Sequence, residues 1–153
     1  MKKSTPRLWV CGTIIAVLLA VIWGNSCLSG ETSGHFSGWV GELINSIFPF
    51  LSPESKYGHF ILRKLGHFSE FAALGLFLRW LFGMLLNRKW LTLSLPLACA
   101  VTVAFIDETI QIFTPGRYSS IVDVGIDSLG ALTGILVLQI AWLLLRRLRR
   151  HRG

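Results

Sequence analysis

Long apolar stretches alternate with short polar segments along this chain. Four of the stretches reach the length of about 20 residues that an α-helix needs to cross a bilayer, and they cover residues 8–28, 62–86, 90–113 and 121–145. The pattern therefore predicts an all-α fold class, an integral membrane bundle of four transmembrane helices. We expect the whole chain, residues 1–153, to form a single membrane domain.

The first stretch also has a feature of signal peptides, because Lys2, Lys3 and Arg7 precede it. Its apolar run is longer than the apolar core of a signal peptide, and the segment Gly24-Asn25-Ser26-Cys27 matches a cleavage site poorly. A retained transmembrane helix is therefore the prediction for this stretch.

A one-sided segment lies between the first two stretches. Apolar residues recur there at helical spacing from Phe36 to Phe48, opposite polar residues such as Ser37 and Glu42. Residues 35–48 are too few to cross a bilayer, so the segment is predicted to be an amphipathic helix in the outer interface. A lid packed over the bundle is the alternative, and the two interpretations are compatible.

Composition excludes the soluble classes of protein. Hydrophobic residues make up 52% of the chain and charged residues 15%, whereas an ordinary soluble domain is about 25% charged. Mean hydropathy is +0.59, and a soluble chain of this size cannot bury so many apolar side chains. Three cysteines are too few for a disulfide scaffold. A multi-pass membrane protein is what the composition indicates.

The net charge is +7, and most of the basic residues lie at one set of predicted helix ends. Basic residues mark the cytoplasmic side of a membrane protein, which places both termini in the cytoplasm and the protein in the cytoplasmic membrane. Anionic lipid, and not nucleic acid, is the expected neighbour of these residues. If the chain crosses four times, this side carries ten of the 15 basic residues: Lys2, Lys3, Arg7, Arg88, Lys89 and the five arginines of the basic tail, residues 146–153.

Acidic residues occur where lipid is expected. An ionisable side chain in hydrocarbon costs at least ~2.5 kcal/mol, so it normally faces the protein interior and has a partner. Helical spacing places Arg63, His67 and Glu70 on one arc of the second span, and the alternation of spans brings the polar arcs of three helices to one outer depth. We expect one cavity, open to the outer leaflet, to be lined by His67, Glu70, Asp107, Glu108, Gln111, Arg117, Asp123 and Asp127.

Each of these residues also has a purely structural interpretation. Asp123 follows Ser120 by three positions, which fits a capping box at the start of the fourth helix. His67 is also compatible with a hydrogen-bonded core histidine, and Glu70 with an ion pair to Arg63 or Lys64. Asp127 lies a full helical turn below Asp123, where capping does not explain it, and Arg117 is expected to bridge the acids of the third and fourth helices.

Two motifs resemble the hallmarks of the VanZ-like family of bacterial membrane proteins. The first is Arg63-Lys64-x-x-His67-Phe68-x-Glu70-Phe71-x-x-Leu74-Gly75. The second is Asp107-Glu108-x-x-Gln111-x-Phe113-x-Pro115-Gly116-Arg117, followed by Asp123-Val124 and by Gly130-Ala131-x-x-Gly134. The polar ending Asn25-Ser26 of the first span also resembles the family. One departure is Asp127, where the family more often has Asn, and this makes the site more acidic.

The resemblance implies a role at the outer leaflet or cell envelope, with a contribution to resistance against teicoplanin-type glycopeptides, and implies no known reaction. Three functions stay open: a binding or shielding protein, a membrane-embedded enzyme acting on a lipid-linked or cell-wall substrate, and an ion-coupled carrier. The catalytic candidates are His67, Glu70, Asp107 and Glu108. The ligand-binding candidates are Arg63, Lys64, Gln111, Arg117, Asp123 and Asp127.

Three basic residues against five acids give this site a formal charge of −2 when His67 is neutral. Shared protons, a bound cation or a cationic ligand group would relieve such an excess of buried charge. No cofactor is expected other than a divalent cation held by these side chains. The expected partners are membrane lipid and either a lipid-linked envelope precursor or an amphiphilic glycopeptide, and the sequence leaves the oligomeric state open.

Reporter fusions test the predicted orientation. A reporter that is active only in the cytoplasm should be active when fused after Gly153, because translocation of the arginine-rich tail is unfavourable. The same reporter fused after Leu28 should be inactive and serves as the control. An external location for Gly153 would contradict the topology.

Overall fold

Four α-helices make up the bundle. The computed structural model describes residues 5–28, 56–117 and 119–150. Within them, each helix is long and apolar enough to cross a membrane, so the predicted all-α class with four spans is confirmed. The predicted interfacial helix, residues 35–48, lies outside the described residues. The helices are α1 (Thr5–Cys27), α2 (Lys56–Leu85), α3 (Leu91–Ile112) and α4 (Ile121–Arg150).

Helix α4 is longer than its apolar stretch. It continues past residue 145 to Arg150, with Arg147 and Arg149 also in its last turn. Positive side chains interact favourably with the negative end of the helix dipole, so the basic run extends the helix. The part of the basic tail that the structure describes, residues 146–150, is therefore helical.

Small residues bring the backbones of α2 and α4 into contact. A Cβ atom placed on Gly134 would collide with the carbonyl oxygen of Ala72, and one on Gly130 would collide with that of Phe68. Gly75 faces α4 in the same way from the side of α2. The α2–α4 interface is the most extensive in the described bundle. Lipid offers no hydrophobic force between helices, so close packing of small residues is the expected basis of their association, as the Gly130-x-x-x-Gly134 spacing indicates.

The apolar core is small and lies between the helices, whereas large apolar side chains cover the outside. Val137 and Ile140 of α4 are each 54% exposed, which suits a surface in contact with acyl chains. Fully buried core residues come from all four helices: Ile22, Phe71, Leu74, Ala100, Ala104 and Ala131.

One arginine is buried between α2 and α4, near the ends that carry the basic residues. The Arg79 side chain donates a hydrogen bond from Nη2 to Oε1 of Gln139 at 2.5 Å. Its guanidinium carbon lies 4.6 Å from the centre of the Trp142 ring, a cation–π contact. These contacts hold Arg79 inside the bundle instead of toward lipid.

Substitution of Gly134 tests the backbone contact. Gly134→Ala should lower the free energy of unfolding by about 1–3 kcal/mol, because the added carbon forces two packed backbones apart. Thermal unfolding in detergent, followed by tryptophan fluorescence, measures the change. Gly125→Ala on the same helix is the control, since nothing lies within 4 Å of its added Cβ. Equal midpoints for the two variants would contradict the close approach.

Candidate functional site

Polar side chains from all four helices meet at one end of the bundle. The helices alternate in direction, so this end contains the C-terminal ends of α1 and α3 and the N-terminal parts of α2 and α4. We define the polar cluster by the residues whose contacts are described below: Asn25, Ser26, Lys64, His67, Glu70, Asp107, Glu108, Gln111, Thr114, Arg117, Asp123 and Asp127.

Three side chains from three helices lie at the centre of the polar cluster. His67 of α2, Asp107 of α3 and Asp127 of α4 each offer a nitrogen or oxygen atom, and these atoms all lie within 4.8 Å of one another. His67 Nδ1 is 3.9 Å from Asp107 Oδ2. Asp107 is 0% exposed and Asp127 is 1% exposed. The convergence that helical spacing suggests is present, while a cavity open to the outer leaflet stays a prediction.

The end of α1 supplies hydrogen-bond donors to the acids. The Ser26 hydroxyl donates to Asp107 Oδ1 at 2.7 Å, and the Asn25 amide donates to Glu70 Oε1 at 2.7 Å. Gln111, one turn beyond Asp107, donates to Asp107 Oδ2 at 2.9 Å. Ser26 and Asn25 were absent from the predicted site residues. The sequence pointed to them in two ways, as polar residues closing an otherwise apolar span and as an ending that resembles the family.

A tight turn connects α3 to α4 and directs Arg117 toward α1. The backbone N–H of Arg117 donates to the carbonyl of Thr114 at 3.2 Å, and Gly116 between them has a φ of 75°. Pro followed by a glycine at positive φ is the combination that a type II turn requires. The dipeptide Pro115-Gly116 therefore fixes the direction in which the next side chain leaves the turn.

Arg117 binds the C-terminal end of α1. Its Nη2 donates to the carbonyl of Asn25 at 2.7 Å and its Nε to that of Leu28 at 3.2 Å, while the Thr114 hydroxyl donates to the carbonyl of Ser26 at 2.9 Å. The last carbonyls of a helix lack partners within the helix, and these donors supply them. The expectation that Arg117 bridges the acids of α3 and α4 is wrong for these two nitrogens, since its hydrogen bonds go to backbone.

Burial lowers the pKa of the Arg117 guanidinium, and the charge of Arg63 acts in the same direction. Arg63 itself is half-buried, one turn before His67. The carboxylates of Asp107, Glu108 and Glu70 act in the opposite direction and favour the charged form of Arg117.

Two further acids take partners on other helices. Asp123 forms an ion pair with Lys64 and so connects α4 to α2. Glu108 of α3 accepts a hydrogen bond from the backbone N–H of Ser120 at 2.7 Å, while the Ser120 hydroxyl accepts one from the N–H of Val122 at 3.2 Å. The capping-box interpretation of Asp123 is therefore wrong, because Glu108 occupies the position at the Ser120 N–H that Asp123 would take.

The polar cluster is only partly satisfied by its own hydrogen bonds. Among the described residues, no hydrogen-bond partner exists for these buried atoms: His67 Nδ1, Glu108 Oε1, Arg117 Nη1 and both carboxylate oxygens of Asp127. A buried polar group without a partner costs about 1–3 kcal/mol, and more when it is charged. A purely structural network would pair these atoms, so the cluster retains the capacity to bind a further group.

The model of the VanZ/LLP1 family matches residues 11–144, a range that contains the whole polar cluster. No curated protein and no solved structure matches the chain.

The two most buried acids should respond differently to loss of charge. Asp107→Asn should lower the free energy of unfolding by about 1–3 kcal/mol, because the amide nitrogen that replaces one carboxylate oxygen cannot accept the hydrogen bond made there. Asp127→Asn should leave it unchanged or raise it, because neither of its oxygens has a partner in the described structure. Thermal unfolding in detergent with EDTA, which removes bound ions, is the measurement. A larger loss for Asp127→Asn would contradict the assigned contacts.

Proposed function

The chain belongs to the VanZ/LLP1 family, and from that premise we propose that it is a membrane protein of the bacterial cell envelope that binds an amphiphilic molecule. The polar cluster is the binding site in this proposal. The ligand is either a lipid-linked envelope precursor or an amphiphilic glycopeptide of the teicoplanin type. Binding either of them shields the envelope and contributes to glycopeptide resistance.

This proposal is based on the incomplete hydrogen bonding of the polar cluster. The Arg117 guanidinium offers a free N–H, and the Asp127 and Glu108 carboxylates offer acceptors, as judged within the described residues. Donors and acceptors side by side suit a headgroup that combines phosphate with hydroxyl or amide groups. These atoms lie at the end of a bundle whose sides are apolar, so the chain of an amphiphile would contact the helices while its headgroup enters the cluster.

The proposed location in the outer leaflet rests on the distribution of basic residues. Arg88 and Lys89, between α2 and α3, are exposed, and so are the arginines at the end of α4. They lie at the opposite end of the helices from the polar cluster. Because basic residues favour the cytoplasmic side, the cluster is assigned to the outer leaflet of the cytoplasmic membrane.

The centre of the cluster favours a second candidate function, that of a membrane-embedded enzyme acting on a lipid-linked or cell-wall substrate. His67 and Asp107 lie 3.9 Å apart, with Asp127 beside them, and such a group can transfer protons to and from a substrate. The predicted catalytic candidates Glu70 and Glu108 bind Asn25 and Ser120 in the described structure. They would position the site, and His67 with Asp107 would perform the proton transfer.

Ligand binding to the protein in lipid nanodiscs tests the proposal. We expect Arg117→Gln to weaken binding of undecaprenyl diphosphate or teicoplanin by tenfold or more, about 1.4 kcal/mol, because the ligand loses a charged donor. Arg79→Gln is the matched control, since it removes a buried arginine at the other end of the bundle and should leave affinity unchanged. Both variants are first checked for a single folded species in detergent.

Two outcomes would contradict the binding proposal: no binding of either probe by the wild-type protein, or equal losses for the two arginine variants. Mass spectrometry of the recovered probe distinguishes binding from catalysis. An unaltered probe supports the binding protein, and a modified probe that disappears in His67→Ala supports the enzyme.

A further inference from the structure

Asp127 is a buried carboxylate that the rest of the protein does not explain. Its side chain is 1% exposed, and neither oxygen has a hydrogen-bond partner in the part of the chain that the structure describes. It lies more than a turn inside α4, so it does not cap the helix. A buried carboxylate without a hydrogen-bond partner is unfavourable, and a bound cation is a group that would stabilise it.

The neighbours of Asp127 are metal ligands by type and by distance. Oxygen or nitrogen atoms of His67, Asp107 and Asp127 lie within 4.8 Å of one another, and His67 Nδ1, buried and without a partner among the described residues, is 3.9 Å from Asp107 Oδ2. Two ligands of a tetrahedral ion at about 2.1 Å stand about 3.4 Å apart. Small side-chain movements would therefore bring the three atoms onto one ion.

The surroundings hold these ligands in place. Ser26 and Gln111 donate to the two oxygens of Asp107, which is how hydrogen bonds outside a metal site orient a coordinating carboxylate. The position of His67 relative to Asp127 depends on the α2–α4 contact, because Gly130 fits against the backbone of Phe68. A side chain at residue 130 would push the residue beside His67 away from α4.

Charge and ligand chemistry restrict the kind of ion. The five acids and two basic residues of the polar cluster, counted together with Arg63 one turn before His67, give a formal charge of −2 with neutral His67, which a divalent ion would balance. One imidazole nitrogen with two carboxylate oxygens suits Zn²⁺ or Mn²⁺, whereas Ca²⁺ and Mg²⁺ favour all-oxygen sites.

We propose that His67, Asp107 and Asp127 form a binding site for one divalent transition-metal ion, Zn²⁺ or Mn²⁺. Three protein ligands leave coordination positions open. A phosphate oxygen of the bound headgroup takes one of these positions, and this last step rests on the proposed function.

The test is a metal titration of the whole chain in detergent, after removal of bound ions with EDTA. Calorimetry with ZnCl₂ and with MnCl₂ should show one ion per chain for at least one of the metals, and thermal unfolding should shift upward by several degrees. Asp127→Asn should weaken binding at least tenfold and abolish the thermal shift. Because this variant is expected to unfold at the wild-type temperature or above in EDTA, loss of the shift would not reflect misfolding.

Ser128→Ala is the control, since it changes the residue next to Asp127 in sequence, and the Ser128 hydroxyl donates to the Val124 carbonyl of its own helix. It should retain the metal affinity within about twofold, well below the tenfold loss that corresponds to about 1.4 kcal/mol. Absence of binding by the folded wild-type protein, or equal affinities for wild type, Ser128→Ala and Asp127→Asn, would overturn the metal site.

Headgroup binding with and without metal separates this inference from the proposed function. A protein that binds Zn²⁺ or Mn²⁺ but no undecaprenyl diphosphate overturns the proposed function and supports the metal site. A protein that binds the lipid equally well in EDTA and takes up neither metal overturns the metal site and supports the proposed function.

Discussion

The backbone contact between α2 and α4 is the constraint on which the rest of the structure depends. Gly130 and Gly134 leave no room for a side chain against Phe68 and Ala72, and in lipid such close packing replaces the hydrophobic force that joins helices in water. The same contact sets the distance between the polar faces of the two helices. Because the backbones of α2 and α4 are in contact beside these residues, Lys64 reaches Asp123 and His67 lies close to Asp127.

The end of α1 completes the arrangement. The last carbonyl groups of α1 have no partner within the helix, and the α3–α4 turn carries the donors that bind them, Arg117 and Thr114. In return, Ser26 and Asn25 donate to acids of α3 and α2. The end of α1 and the α3–α4 turn thus supply hydrogen-bond donors to each other and to the acids of α2 and α3.

Within the described residues, the acids of the polar cluster differ in how far their oxygens are paired. Asp123 pairs with Lys64, and Glu108 accepts a hydrogen bond through Oε2 while its Oε1 has no partner. Asp127 has no hydrogen-bond partner at either oxygen. A protein selected for stability alone would pair or remove such a group. Sites prepared for a ligand commonly retain this kind of cost, because the ligand then gains from groups that are already desolvated and positioned.

The fold and the proximity of His67, Asp107 and Asp127 followed from the sequence, for a simple reason. Inside a bilayer the backbone must satisfy its own hydrogen bonds, so four long apolar stretches have to be helices, and charged residues within them have to face the protein. Helical spacing then predicts on which side of its helix, and how far along it, each of His67, Asp107 and Asp127 lies. Spacing also identified Gly130 and Gly134 as a packing motif.

Only the tertiary structure decided which partner each residue takes. Asp123 pairs with Lys64 and leaves Ser120 to Glu108, and Arg117 turns toward the carbonyls of α1. Periodicity describes one helix at a time, whereas a hydrogen bond depends on distances between helices to within a few tenths of an ångström. Those distances arise from the glycine contact and from the turn at Gly116, and no single helix contains them.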